Sequence, residues 1–346
     1  MNTYLLRLCS YHQPRRIRVL ENVLTNRRTV ANLFWAQQYG LLSWLGARRT
    51  ADQDQLDDEL WALQEAGLVA VHHEHNTVQL TAAGVGYQES HPVEYQPHFY
   101  DWYWLANTRQ VQHRLLLAVQ VVSEFAYHNR RYAPLTVPLM DQEAVRGWFH
   151  HYYSPDLVQD VYAELYLLTA TLADEDQRLA PAFINFLIGH CQSGWTSDQL
   201  CSRLNLTLAD GLILQHDLML AVSAFCRQTA GPLAHLIKPV LAAAPLSPSA
   251  THTLQLFNQG RDLSTIAHRR RLKVSTVREH LLTAAILTPQ GLDWERLLPV
   301  SYRQQLAQRY GGPVTSWHFT AWTADSNTDF FYFRLYQIYQ GRLQNG

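Results

Sequence analysis

The spacing of apolar residues near the start of the chain predicts two amphipathic helices. The first runs from about Thr29 to Gly46, and the second runs from Thr50 to Gly67. Thr50 and Gln53 have the spacing of a capping box, in which the two side chains bond to each other's backbone N–H groups at a helix start. The apolar positions that define the two faces are Leu33, Phe34, Leu41, Leu42 and Leu45 in the first helix, and Leu56, Leu60 and Leu63 in the second.

A hairpin is predicted after the second helix. Residues 68–71 and 77–80 are short strand-like runs on either side of His75-Asn76, and Thr81 then opens another helix. Two helices followed by a hairpin are the pattern of a winged helix. The residues here also resemble the wing region of many bacterial winged-helix regulators. We therefore predict a winged-helix-like domain over residues 1–95.

Charge changes the interpretation of this domain. Residues 51–100 contain nine acidic residues and no Lys or Arg, and six of the nine lie on the second helix. Carboxylates repel a phosphate backbone, so we expect this helix to contact a protein partner or to form a homodimer interface rather than bind DNA. A basic cluster precedes it, which could neutralise the helix or touch nucleic acid. The acidic residues are Asp52, Asp54, Asp57, Asp58, Glu59 and Glu65, and the basic ones are Arg15, Arg16, Arg18, Arg27 and Arg28.

Residues 96–244 form a predicted helical middle domain that prolines divide into helices of ordinary length. Aromatic residues are concentrated in 99–104 and 148–153. Such clusters can stack single-stranded bases when basic residues are interleaved with them, but the interleaving residues here are mainly Asp, His and neutral ones. Core packing is therefore the favoured interpretation. Prolines between Pro232 and Pro248 predict a linker to the last domain.

The last domain, residues 245–346, contains a predicted helix-turn-helix. Apolar positions Leu263, Ile266 and Ala267 can pack against Val277 and Leu281 across a short turn. Residues 251–346 contain eleven basic and six acidic residues. A closing helix is predicted near the end of the chain, with Phe331, Leu335 and Ile338 at helical spacing on the face that packs on this motif.

The second helix of such a motif enters the major groove of DNA with its N-terminal residues. Ser275 is placed to cap this helix, and Thr276 and Arg278 project outward when Val277 and Leu281 face inward. Arg278 is the candidate for reading a base, since arginine can bond to two acceptors of guanine. The cations predicted to neutralise phosphates are Arg269, Arg270, Arg271 and Lys273. A solvated basic turn on a protein-docking domain is the alternative.

A weak internal repeat accompanies this motif. The segment 194–206 resembles 260–272 in its glycine, in an apolar residue six positions on and in a leucine twelve positions on. Arg203 is the sole basic residue of the first copy, so we do not predict a second DNA-reading unit there. A plain helical hairpin fits the segment equally well.

Residues from about Thr251 to Gly341 resemble the helix-turn-helix domain at the C-terminus of some bacterial RecQ-family helicases. As a whole, the chain is similar to a Firmicute family encoded beside a RecQ-like helicase, which implies a DNA-binding accessory of that helicase. Arg271 replaces the commoner turn glycine, so we expect left-handed backbone at a non-glycine residue. The matching residues are Leu256, Phe257, Gly260, Leu263, Ile266, Ala267, Leu272, Ser275, Thr276, Val277, His280, Leu281 and Tyr332-Phe-Arg334-Leu335.

Enzyme motifs are missing from the sequence. It has no GxxxxGK phosphate loop, no HExxH and no nucleophile elbow, so we predict neither a helicase motor nor another enzyme, and no cofactor. The histidines His72, His73 and His75 lie on the predicted hairpin. A metal site needs further ligands in fixed places, and a surface hairpin is therefore preferred there.

Location is inferred from cysteines and apolar runs. Cys9, Cys191, Cys201 and Cys226 form no CxxC pair and sit in apolar surroundings typical of buried, reduced thiols. No apolar run approaches the roughly 20 residues that cross a bilayer. We therefore expect a cytoplasmic protein without membrane contact.

Three hypotheses of function follow. The leading one is a mainly α, non-enzymatic DNA-binding accessory of a RecQ-like helicase in replication or repair. The second is a transcription regulator that dimerises through its N-terminal domain and reads an operator with the C-terminal motif. The third is a protein scaffold without DNA contact.

Overall fold

A computed structural model describes residues 3–48, 53–91, 95–99 and 105–345. The chain forms two compact units. The middle unit comprises Met1–Arg7, Glu65–Leu68 and Thr81–Ala243, and the terminal unit comprises Leu8–Gln64, Val69–Leu80 and Ala244–Gly346. Segments from the N-terminal and C-terminal parts of the chain thus belong to one unit. The domain boundaries near residues 95 and 244 stay a prediction. The mainly α fold with a C-terminal helix-turn-helix is confirmed.

The middle unit is built from helices. Its core includes Leu117, Trp148 and Leu236. It lies where four helices pack together, namely α5 (Thr108–Ala126), α6 (Leu139–Tyr152), α7 (Leu157–Glu175) and α11 (Pro232–Ile237). The burial of Trp148 confirms core packing for that part of the second aromatic cluster, whereas most of the first cluster lies outside the described residues. The helices are α4 (Ala82–Ser90), α5 (Thr108–Ala126), α6 (Leu139–Tyr152), α7 (Leu157–Glu175), α8 (Leu179–Phe186), α9 (Ser197–Leu204), α10 (Leu208–Gln228) and α11 (Pro232–Ile237).

The predicted proline linker is partly wrong. Pro232 is the first residue of α11, where its missing N–H costs no hydrogen bond. Its carbonyl accepts a bond of 2.7 Å from Trp148 Nε1. The Glu164 carboxylate accepts the N–H groups of Leu233 and Ala234 at 2.8 and 3.2 Å. These bonds fix α11 in the core, so the segment starting at Pro232 is structured rather than a flexible connection.

The two segments of the weak internal repeat have the same backbone geometry at their turns. Helices α9 and α10 are separated by Asn205 at φ 53° and ψ 46°. The C-terminal pair is separated by Arg271 at φ 54° and ψ 43°. In both copies, an eight-residue helix precedes the left-handed residue, and the next helix begins three positions after it. The first copy is therefore a true helix-turn-helix in shape, which is more specific than a plain hairpin.

The terminal unit combines an N-terminal and a C-terminal part. Helix α14 (Val274–Leu287) packs against three helices of the C-terminal part, α12 (Pro248–Asn258), α13 (Leu263–Arg270) and α17 (Ser326–Asn345). It also packs against α2 (Val30–Gln38) of the N-terminal part. The helices are α1 (Ile17–Leu24), α2 (Val30–Gln38), α3 (Gln53–Glu65), α12 (Pro248–Asn258), α13 (Leu263–Arg270), α14 (Val274–Leu287), α15 (Trp294–Leu297), α16 (Val300–Arg309) and α17 (Ser326–Asn345).

The prediction of one helix from Thr29 to Gly46 is wrong in its second half. Thr29 caps α2 by accepting the Asn32 N–H at 3.2 Å, but α2 ends at Gln38. Gly40 follows with φ +67°, a left-handed backbone that stops the helix, and a short 3-10 helix spans Leu42–Trp44. Thr50, the predicted cap of the next helix, lies outside the described residues.

A small sheet completes the N-terminal part. Strands β2 (Val69–His72) and β3 (Thr77–Leu80) form the predicted antiparallel hairpin. A further strand, β1 (Arg15–Arg16), pairs with β3 in the order β1-β3-β2. Periodicity cannot predict this pairing, because β1 has two residues and its partner is distant in sequence. The winged-helix assignment stays a prediction.

Two other features bear on the expected location. Cys9, Cys201 and Cys226 are buried free thiols, but Cys191 is exposed, so the prediction of four buried thiols is wrong at that position. Cys191 has φ 56° and follows α8 in a surface turn, which explains its exposure. Among the described residues, no helix is long and apolar enough to span a membrane.

Candidate nucleic-acid interface

The turn between α13 and α14 is defined by its caps. Asp262 accepts the Thr265 N–H at 2.8 Å and starts α13. Arg271 ends the helix in the left-handed region, and its N–H donates to the His268 carbonyl at 3.2 Å. The expectation of left-handed backbone at Arg271 is confirmed. The chain reverses within three residues and enters α14 at Val274.

Ser275 does not cap α14, so that prediction is wrong. The helix begins at Val274, and the cap position is Lys273, whose side chain makes no capping bond. Ser275 is the second helical residue and is exposed. The extended backbone of Lys273, with φ −73° and ψ 148°, places the helix start two residues before the point that the serine suggested.

The packing that supports the turn matches the apolar pattern. Ile266 and Val277 are fully buried, and Ala267 and Leu281 are also in the core. Leu263 is half-buried at the start of α13. A rigid apolar contact therefore holds the two helices, and the polar residues of the turn lie on the outside.

The predicted phosphate-binding cations differ in their exposure and in their hydrogen bonds. Arg269, Arg271 and Lys273 are exposed, as is His268 beside them. Arg270 is half-buried, and its guanidinium donates to the Ser249 carbonyl at 2.7 Å and to the Ser249 hydroxyl at 2.9 Å. Three of the four predicted cations therefore form an exposed basic turn, while Arg270 holds α13 to α12.

A buried polar contact links the three helices beneath this turn. Thr253 of α12 is fully buried, and its hydroxyl accepts a bond from Arg270 of α13. The same hydroxyl lies 2.8 Å from His280 Nδ1 of α14. Burial, and then the nearby Arg270 charge, lower the pKa of His280. Because a neutral imidazole can accept the Thr253 hydroxyl hydrogen, this arrangement favours the uncharged ring.

Arg278 lies against the closing helix. Its Nη2 donates to Thr328 Oγ1 at 2.5 Å, and its Cζ lies 5.7 Å from the Phe331 ring centroid. The side chain is half-buried, and so is Thr276, while Glu279 is exposed. A cleft of about 680 Å³ separates the start of α14 from the start of α17, with Arg278 and Phe330 in its wall. Sequence spacing placed Arg278 on the outer face of α14 but did not reveal that α17 covers that face.

Helix α17 is the predicted closing helix. Phe331, Leu335 and Ile338 are buried against α14, which confirms the predicted spacing. The contact of α2 with α14 and α17 was not predicted. Helix α2 is more than two hundred residues away from α14 and α17 in the sequence, and no local sequence pattern predicts such a contact.

The acidic helix α3 has a different partner from the one expected. Arg48 Nη1 lies 2.5 Å from Glu59 Oε2, whereas Arg15 donates to the Leu8 and Tyr39 carbonyls. Arg16 stacks on the Trp35 ring at 4.3 Å. Arg15 and Arg16 of the predicted basic cluster therefore contact residues of the N-terminal part other than the acidic helix. The exposed carboxylates of the described part of the helix are Asp54, Asp57, Asp58 and Glu65.

The hairpin histidines form no metal centre that the structure describes. His72, His73 and His75 are exposed at the hairpin end, and the described residues contain no group of three or more His, Cys, Asp or Glu arranged to hold a metal ion.

Comparison with known proteins agrees with the C-terminal architecture. Residues 249–336 match a family described as a helix-turn-helix domain, so the chain contains a helix-turn-helix domain. Over 291 residues the chain is 23% identical to Protein YpbB of Bacillus subtilis (strain 168). The matched region covers 82% of this chain and 80% of that protein. No solved structure matches the chain.

Proposed function

We propose that this protein is a non-enzymatic DNA-binding protein that docks duplex DNA with α13 and α14. The exposed basic turn carries the proposal. Arg269, Arg271 and Lys273 project into solvent from a turn that apolar packing holds rigid. Cations on a rigid turn can displace counterions from phosphates without a large loss of backbone entropy, which is the main source of affinity for DNA.

The surroundings of Arg278 favour weak sequence preference. To bond to guanine, this side chain would have to leave Thr328 and Phe331. The exposed residues in the first turns of α14 are then Ser275 and Glu279, and neither offers the paired donors with which arginine bonds to guanine. Binding governed by phosphate contacts suits an accessory of a DNA-processing enzyme better than an operator-reading regulator.

We further propose a RecQ-like helicase as the partner, a cytoplasmic location and a role in replication or repair. This step depends on the resemblance of the C-terminal motif to the helix-turn-helix of RecQ-family helicases. Helix α3 offers a surface for a protein partner or a second copy of the chain. Trp61 is 57% exposed there among carboxylates, and exposed tryptophans often anchor protein interfaces.

Fluorescence anisotropy of labelled duplex DNA at several salt concentrations tests the proposal. We expect the variant Arg269→Ala/Lys273→Ala to bind more weakly and to lower the slope of log affinity against log salt by about two, because each phosphate contact contributes about 0.9. The matched control, Arg203→Ala/Arg309→Ala, removes two exposed cations elsewhere and should bind as the wild type does.

Two results would overturn parts of this assignment. If the turn variant and the control have the same affinity and slope, the helix-turn-helix does not contact DNA. If the protein selects one palindromic duplex from random sequences, it is a regulator rather than an accessory. Pull-down of a purified RecQ-like helicase, with Trp61→Ala as the comparison, tests the partner separately.

A further inference from the structure

The middle unit contains an open aromatic cleft. Its cavity measures about 890 Å³ and lies where the end of α5, the end of α6 and the start of α7 meet. We call it the aromatic cleft and define it by the Phe and Tyr residues of its walls, which are Phe125, Tyr132, Phe149 and Tyr153.

Three of these rings form one cluster. The ring centroids of Phe125 and Phe149 lie 5.5 Å apart, and those of Phe125 and Tyr153 lie 5.4 Å apart. Tyr153 is 62% exposed, whereas its neighbour Trp148 is buried in the core. The cluster 148–153 thus has a structural side and a solvent side. Its solvent side presents aromatic surface that a flat ligand could cover.

Arginines surround this surface. Arg130 lines the aromatic cleft, and Arg131 follows it in the same loop. Arg146 lines an adjoining cavity of about 410 Å³, which shares Tyr132 and Phe149 with the first. All three arginines are exposed. Among the described residues that line the two cavities, none is Asp or Glu.

The arginines are concentrated at the cleft although the segment as a whole is acidic. Residues 101–243 contain nine basic and thirteen acidic residues, yet three of the nine lie at the cleft. Two other arginines of the unit are paired with carboxylates, since Arg114 lies 3.0 Å from Asp141 and Arg178 lies 2.7 Å from Asp176. A local positive potential beside aromatic rings therefore stands out within an acidic unit.

The loop that holds Arg130 and Arg131 is fixed from both ends. Asn129 donates to Glu124 Oε2 at 2.6 Å and accepts the Arg131 N–H at 3.0 Å. Further along, Gln120 donates to the Ala133 carbonyl and accepts the Leu135 N–H at 2.7 Å. These bonds hold the loop against α5, so a ligand that meets the arginines need not order the backbone first.

We propose that the aromatic cleft binds single-stranded nucleic acid, with unpaired bases stacked on Tyr153 and Phe149 and phosphates placed near Arg130, Arg131 and Arg146. Aromatic rings beside cations are the general means of binding unpaired strands without reading their sequence. The sequence of 148–153 lacks these cations, and the fold supplies them from a different loop and another turn of α6. The site belongs to the middle unit and does not require duplex binding by the helix-turn-helix.

The test uses anisotropy of labelled oligothymidine with the full chain at low salt. We expect Tyr153→Ala to weaken binding about tenfold, since one base stacked on an aromatic ring contributes about 1–3 kcal/mol. Tyr153→Phe should bind as the wild type does, because the ring is kept. Arg130→Glu/Arg131→Glu should weaken binding and reduce its salt dependence.

Tyr166→Ala is the matched control, because Tyr166 is 64% exposed on α7 and does not line the aromatic cleft. Its affinity for oligothymidine should equal that of the wild type. Far-UV circular dichroism and thermal unfolding establish that each variant is folded.

The outcomes separate this site from the helix-turn-helix. The Arg269→Ala/Lys273→Ala variant should lose duplex affinity but keep oligothymidine affinity, and Tyr153→Ala should do the reverse. No oligothymidine binding by the wild type, or equal losses in Tyr153→Ala and Tyr166→Ala, would overturn the proposal whatever the duplex results are.

Discussion

The guanidinium of Arg334 stacks on the ring of Phe34, with its Cζ 3.9 Å from the ring centroid. Phe34 belongs to α2 and is fully buried, and Arg334 belongs to α17. Burial, with the nearby charge of Arg16, lowers the pKa of Arg334 to about 10. One cation–π contact thus joins the N-terminal and C-terminal parts of the terminal unit behind the helix-turn-helix.

This contact predicts a cost for losing the ring. Phe34→Leu should lower the free energy of unfolding by about 2–3 kcal/mol, of which about 1–2 kcal/mol is the desolvated cation–π term. Phe183→Leu is the control, because Phe183 is equally buried in the middle unit and no described arginine stacks on it. Urea unfolding measures both variants. Equal losses would show that the stacked cation contributes nothing.

Short-range patterns predicted much of the terminal unit. The hairpin and the buried face of α17 depend on residues close in sequence, where periodicity and turn chemistry act. The left-handed backbone at Arg271 was expected from the turn glycine of the family that the motif resembles. The contact between Phe34 and Arg334 joins residues that are far apart in the sequence, and no local pattern predicts such a contact. The same limit explains why β1 was missed.

The candidate site was predicted in outline but not in detail. The basic residues at the turn were identified by charge and spacing alone. Which of them are free depends on tertiary neighbours, since Arg270 bonds to Ser249 and Arg278 to Thr328. In the same way, the aromatic run 148–153 was predicted to be core, although Tyr153 is exposed beside arginines from another segment.

The left-handed backbone at Arg271 predicts that glycine is favoured there. Arg271→Gly should raise the free energy of unfolding by about 1 kcal/mol, because glycine removes the steric cost of a Cβ at positive φ. The comparison is Arg269→Gly, which places glycine at a helical position of α13 and should lower stability by about 0.5–1 kcal/mol. Urea unfolding measures both variants, and effects of the same sign would contradict the prediction.

In each helix-turn-helix copy, one residue of the first helix faces one residue of the second helix. The larger side chain lies on the first helix in one copy and on the second helix in the other. Cys201 faces Gly211 in the first copy, and Ala267 and Val277 occupy the equivalent positions in the second. A Cβ on Gly211 would overlap Cys201 Sγ. Gly211→Ala should therefore cost about 1–3 kcal/mol through overpacking.

Cys201→Ala/Gly211→Ala should recover most of that loss, because removing the sulfur makes room for the new methyl group. Thermal and urea unfolding of the wild type, both single variants and the double variant complete the cycle. Additive effects of the two substitutions would show that the helices do not touch at this pair.

The lowered pKa of His280 predicts that the stability of the helix-turn-helix domain depends on pH. Burial and the Arg270 charge lower its pKa in the folded state, so the unfolded chain takes up the proton first. Above the ordinary histidine pKa of about 6.5, both states are neutral and His280 contributes nothing to the dependence. As the pH falls below that value, the unfolded state gains the proton and the folded state loses relative stability.

We expect the wild type to lose more stability between about pH 7.5 and pH 5.5 than His280→Gln, whose amide can still bond to Thr253 but does not titrate. Thermal unfolding at the two pH values measures this, and comparing the two proteins cancels the contribution of the other histidines. A difference in Tm between wild type and variant that stays constant with pH would contradict the prediction. A larger decline in the wild type than in the variant would show that protonation of His280 disfavours the packing of the three helices beneath the basic turn.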